Sequence, residues 1–255
     1  MKKLTAILII LIFSFESAGY CLRVPMGTAY KRSVIVIKNR FMPKDARAAI
    51  QKFITRYEQY LQITFDLYAR YQEESLGNVR YINVLGQSTS KNIIIEEGKD
   101  VVVGSKGYDS CIAVAMTWVK GGKKHIFLMH HLPMWGEVYV RISSMINSLR
   151  QEGAEDIKLL IHTEAETMLD KYSTLENKPT PMHRKEIAED LGLPDKSVFL
   201  VTKEYSNTDV IVTPEGVAIF YITPDNRDSI ARQFVFWEDP RVFEQHAPVL
   251  DNSVV

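Results

Sequence analysis

Two residues of this chain have the types needed to act together on a carbonyl carbon, Cys111 and His130. A thiol ionises near pH 8.5 on its own, and a histidine within hydrogen-bond reach can take its proton to leave a thiolate nucleophile. Between them lie two apolar, β-favouring runs, Ile112 to Val119 and Ile126 to Leu132, separated by Lys120-Gly121-Gly122-Lys123. A Gly-Gly loop supplies the positive φ that a two-residue hairpin turn requires. With those glycines as the loop, Lys120 pairs with Lys123, Ala113 with His130, Ile112 with His131 and Trp118 with His125. Side chains alternate along a strand, so this register predicts Cys111, Ala113 and His130 on one face, with Cys111 and His130 diagonal neighbours roughly 5–8 Å apart at Cβ. His131 and His125 fall on the other face. A one-residue slip reverses the choice and brings His131 or His125 to the sulfur.

The hairpin needs other elements to bury both its faces. Val101 to Val103 closes a short strand from Asp100, with turn-prone Gly104 and Gly107 after it. Short strands are also expected at 33–38, 81–85, 92–95, 157–162, 197–203, 210–213 and 217–222. Apolar residues from Ala46 to Tyr71 recur every three or four positions, which predicts a long helix over 43–74 stopped by Gly77-Asn78. Its tyrosines suit core packing, or a docking face for a partner. Further helices are expected over 137–151, before Gly153, and over 181–191, before Gly192. Residues 227–255 show weak periodicity and read as a tail of irregular packing or disorder. The sum is an α+β, layered fold, with sandwich-like central sheets and flanking helices. It divides into a 1–19 signal peptide, a 20–78 extension carrying the long helix, a 79–225 Cys–His domain and a 226–255 tail.

The chain has 255 residues, 46% of them hydrophobic, and 31 basic residues balance 31 acidic ones. That composition suits a proper core and gives no bulk electrostatic sign of a nucleic-acid partner. Met1-Lys2-Lys3, the apolar run Leu4 to Phe15 and the small residues Ser17 and Gly19 read as an export signal cut after Gly19. The run is too short to span a bilayer comfortably, so the membrane is expected only in transit and the mature chain in the periplasm or outside the cell. Cys21 and Cys111 are the two cysteines, which excludes a disulfide framework. His125, His130 and His131 alternate in facing, with no carboxylate at ligand spacing, so no metal is expected. His162 reads as a hydrogen-bonded histidine at a sheet end, and Trp135 as a packed residue that could line a site mouth.

From about residue 92 to residue 222 the chain resembles the chemotaxis-receptor glutamine deamidase family (CheD). The resemblance is carried by Ser110-Cys111-Ile112-Ala113-Val114, by His130 shortly before Leu132-Pro133, by Gly153 to Leu160 (GAEDIKLL), and by Pro181 to Thr202 with the turn at Glu215-Gly216. The same Cys–His arrangement is similar to the catalytic domains of the cytotoxic necrotizing factor and Burkholderia lethal factor toxins. The resemblance implies Cys111 as nucleophile and His130 as base. It also implies Ser105, in place of the family's threonine six residues before the cysteine, as the group orienting the imidazole. Asp109, the doubled His130-His131 and Thr163-Glu164-Ala165-Glu166 depart from the family pattern.

The expected activity is hydrolysis of a glutamine carboxamide in a partner protein, with release of ammonia and no cofactor. Backbone N–H groups near Ser110 and Cys111 would hold the oxyanion, at on the order of 3 kcal/mol per donor. The same residues would also serve another Cys–His hydrolase, such as a protease, an amidase or a transglutaminase-like enzyme. A non-catalytic binding protein could keep the same fold.

Overall fold

The computed structural model describes residues 36–38, 42–66, 73–76, 79–84, 89–94, 100–163, 174–175, 178–179, 183–202, 208–223, 226–239 and 241–248. The expected export signal and Cys21 lie outside these residues. The chain begins with strand β1 (Val36–Lys38) and helix α1 (Lys44–Asp66). Then come β2 (Glu73–Leu76), β3 (Val79–Asn83), β4 (Thr89–Ile94) and β5 (Asp100–Tyr108). The hairpin strands are β6 (Ile112–Lys120) and β7 (Lys123–His131), followed by helix α2 (Trp135–Gln151) and β8 (Glu155–Thr163). After a small ribbon of β9 (Thr174–Leu175) and β10 (Lys178–Pro179) come helix α3 (Arg184–Asp190) and β11 (Val198–Thr202). The last strands are β12 (Thr208–Val212), β13 (Gly216–Thr223), β14 (Asn226–Phe236) and β15 (Val242–Pro248).

These strands build two main sheets of an α+β fold. One has eight strands in the order β1-β15-β14-β13-β12-β5-β3-β2, the other five in the order β11-β8-β6-β7-β4. Alternation along β5 explains the layering. Val101 and Val103 join the large core shared with β6, β7 and β8, while Val102 turns to the opposite side and packs with Ile50, Phe53 and Tyr57 of α1. The layers therefore run α1, eight-stranded sheet, five-stranded sheet, then α2 and α3. Both faces of β6 are buried, which is why its sequence is a continuous apolar run rather than an alternating one. Tyr57 is fully buried and its hydroxyl bonds Glu215, as does Arg56, which ties α1 to the turn between β12 and β13. On α1, Ala46, Ile50, Phe53 and Tyr57 pack on the sheet.

Three expectations differ from the observed elements. The long helix expected to reach residue 74 is helical to Asp66, and Glu73–Leu76 instead pairs antiparallel with β3. Gly77-Asn78, read as a helix stop, falls between those paired strands and lies outside the described residues; Gly-Asn is equally a hairpin signal. The strand beginning at Asp100 does not stop at Val103 but runs on to Tyr108. Finally, the segment expected to pack irregularly after residue 226 supplies β14 and β15, which pair with each other and with β13 and β1. The polar first half of β14 hides its strand character; pairing on both sides of it overrides that local composition.

Candidate active site

The turn Gly121-Gly122 has φ of 57° and 73°, and the register that follows is Lys120 with Lys123, Ala113 with His130, Ile112 with His131 and Trp118 with His125. His130 therefore points into the gap between the sheets. A single row crosses the five-stranded sheet there: Thr89, His130, Ala113, His162 and Val201 are successive cross-strand partners. His131 and His125 face the helix side. His131 Nδ1 bonds the Leu132 carbonyl at 3.0 Å, and His125 stacks on Trp118 with ring centroids 5.0 Å apart. Burial and the charges of Lys120 and Lys123 hold His125 below the usual histidine range, so it is neutral at pH 7.

Ser105 on β5 reaches His130 across that gap. Its Oγ lies 2.8 Å from the Val84 carbonyl oxygen and 2.9 Å from His130 Nδ1. A carbonyl only accepts and a serine hydroxyl has one proton, so that proton goes to Val84. The Ser105 oxygen must then accept from His130 Nδ1–H. The tautomer follows: the basic nitrogen of His130 is Nε2. Ser105 is 1% exposed and His130 4%, so water does not compete for these bonds.

A bulge in β5 brings a further residue to the site. Ser105 pairs with Val210 and Tyr108 with Thr208, which sets Lys106 and Gly107 against Asp209 alone. Gly107 has φ of 72°, and its N–H donates to Asp209 Oδ1 at 3.0 Å. Residues three apart on a regular strand point to opposite faces; the extra residue restores Tyr108 to the face of Ser105. Tyr108 then stacks on His130, with centroids 3.9 Å apart and planes 21° from parallel. The sequence reading missed Tyr108. The signal was Gly107, since a lone glycine inside a strand pattern marks a bulge.

Cys111 precedes β6 by one residue, rather than lying on the strand as expected. It sits where the chain crosses from the eight-stranded sheet to the five-stranded one, after the bend at Asp109 and Ser110. The hairpin pairing begins one residue later, at Ile112 opposite His131, with Ala113 opposite His130 next along the strands. Burial above all, with smaller contributions from nearby Cys111 and Asp209, holds the Tyr108 hydroxyl far above the ordinary phenol range. The Cys111 side chain is 2% exposed. Asp109 at the rim is exposed, and Ser110, Leu132 and Pro133 are half-buried.

His162 is a structural tie on the same row. Its Nδ1 lies 3.1 Å from the Val201 carbonyl and its Nε2 2.9 Å from Thr208 Oγ1, so it joins β8 to both β11 and β12. Trp135 is buried in the core against Tyr139 and does not line a mouth. Among the described residues no three His, Cys, Asp or Glu side chains form a metal-ligating cluster.

No protein-family model matches the chain, and no curated protein matches it. Two of the solved structures that match it do so at low identity and low TM-score. One is the hypothetical protein YfiH of Bacillus licheniformis, 14% identical with a TM-score of 0.27, over 41% of this chain and 47% of that one. The other is the C-terminal domain of CNFy from Yersinia pseudotuberculosis, 13% identical with a TM-score of 0.32, over 68% and 64%. The chain thus spans about half the length of the first and just under two thirds of the second.

Proposed function

We propose that the chain is an exported Cys–His hydrolase that deamidates glutamine in a protein substrate. The observation that carries this reading is the Ser105 bridge, which commits His130 Nδ1 as a donor and leaves Nε2 as a base on the strand paired with β6, the strand that Cys111 immediately precedes. Nε2 takes the Cys111 proton, and the thiolate attacks the carboxamide carbon. The N–H groups of Ser110 and Cys111, at the corner between the sheets, stabilise the oxyanion. The imidazolium protonates the departing ammonia, and the same nitrogen then activates water against the thioester to release glutamate. The residues required need no metal or cofactor for these steps. The amino-terminal run Leu4 to Phe15 supports export; among the described residues no helix is long and apolar enough to cross a membrane.

The test uses benzyloxycarbonyl-glutaminyl-glycine as substrate, with ammonia release and product mass as readouts. The wild-type chain should convert the side-chain amide to an acid without cutting the backbone, and Cys111→Ser and His130→Ala should each be inactive while melting cooperatively. Backbone cleavage would assign a protease instead. A Cys111 thiol inert to iodoacetamide at every pH at which the protein stays folded would defeat the enzyme reading. The near-complete burial of Cys111 favours, in that event, a second reading in which the fold only binds a partner.

A further inference from the structure

Tyr108 takes no part in the steps above, yet it makes the closest aromatic contact with their base. The bulge at Lys106 and Gly107 turns its ring inward, and the ring then lies nearly parallel to the His130 imidazole at 3.9 Å. The face of an aromatic ring carries partial negative charge and attracts a cation placed over it. His130 Nδ1 meets a neutral serine hydroxyl, and the face of the Tyr108 ring adds an attraction for the ring charge formed on proton transfer. We propose that Tyr108 is a positioning residue, whose ring holds the His130 imidazole in plane and stabilises it once it carries the proton from Cys111. Burial keeps the Tyr108 hydroxyl neutral, so the ring presents the face of an uncharged phenol to the imidazole. The titratable groups that act on Tyr108 are Cys111, on the connection between sheets, and Asp209 on β12, with Lys106 beside Asp209; His162 lies beyond Ala113 on the row of His130. The inference rests on the thiolate–imidazolium couple of the proposed function.

The test separates the two. Iodoacetamide labelling of Cys111 is followed against pH in the wild type, in Tyr108→Phe, and in chains carrying mono-, di- and trifluorinated phenylalanine at 108. Fluorine drains the ring face with little change of size, so a purely structural role is insensitive to it. The wild-type and Tyr108→Phe profiles should inflect together, below the roughly 8.5 of an ordinary thiol. The inflection should climb with each fluorine, by about 0.4 to 1.5 pH units across the series. A flat series, or a Tyr108→Phe profile already at the ordinary thiol value, overturns the role of the ring face and leaves the couple standing. A wild-type inflection at or above 8.5 removes the couple, and Tyr108's role with it.

Discussion

Replacing Ser105 by alanine removes one oxygen and should cost two hydrogen bonds. The Val84 carbonyl loses its donor at 2.8 Å and His130 Nδ1–H its acceptor at 2.9 Å. Each buried group left unpaired costs about 1–3 kcal/mol, and Ser105 is almost wholly enclosed, so solvent does not replace it. Together Ser105→Ala should destabilise the fold by about 2–6 kcal/mol, read by urea unfolding. The same change frees the imidazole to turn and to exchange tautomers. Deamidation should then fall at least about tenfold, and by no more than the roughly 10²–10⁴ that a general base supplies. Ser105→Thr keeps the hydroxyl and should retain the pH profile of Cys111 labelling, even if its added methyl costs stability in so tight a site. An alanine variant within about 0.5 kcal/mol of wild type, with a superimposable labelling profile, would refute the claim that this bridge sets the ring.

Other substitutions read other parts of the arrangement. His125→Ala should leave Cys111 labelling and deamidation unchanged, since that ring stacks on Trp118 on the opposite face of the sheet; a dead variant would mean the register argument is wrong. Gly107→Ala forces a side chain onto a φ of 72°, at about 1–2 kcal/mol, and should disturb the labelling profile through the displaced Tyr108. Asp209 is half-buried, and burial holds its carboxyl above the usual range despite the Gly107 N–H and the Lys106 charge. Its folded value is raised, so the fold favours the protonated form, and that stability is lost as pH rises out of the ordinary carboxylate range. Asp209→Asn keeps an acceptor for Gly107 and should therefore be more stable than wild type at pH 7, the two converging in acid. Thermal melts across pH check the sign, and a variant less stable at pH 7 contradicts it.

The placing of His130 was legible because a two-residue loop leaves no freedom: once Gly121 and Gly122 turn the chain, every cross-strand partner follows. The Ser105 contact was legible only through a family resemblance, since nothing local says which strand faces which across a sandwich. Tyr108 was hidden by parity. Counting alternate residues from Ser105 sends it to the wrong face, and only the extra residue opposite Asp209 corrects the count. Strands β14 and β15 were hidden because their partners lie far off in sequence; β1 at Val36–Lys38 pairs with Val242–Glu244. The shortened helix shows the reverse error, in which a run of matching period was carried past the point where the chain turns to strand.

The proposed machinery is divided between two separately hydrogen-bonded bodies. Ser105 and Tyr108 ride on one sheet, His130 on the other, and Cys111 on the strap between them. No backbone ladder fixes the distance from hydroxyl to imidazole. Interdigitated hydrocarbon in the slab between the sheets, Val101, Val103, Ala115 and Leu128 among it, helps to set it alongside the His162–Thr208 tie. A cavity opened in that slab would spoil the alignment without touching a polar atom, which makes its aliphatic filling as much a part of the reactive geometry as the groups that exchange the proton.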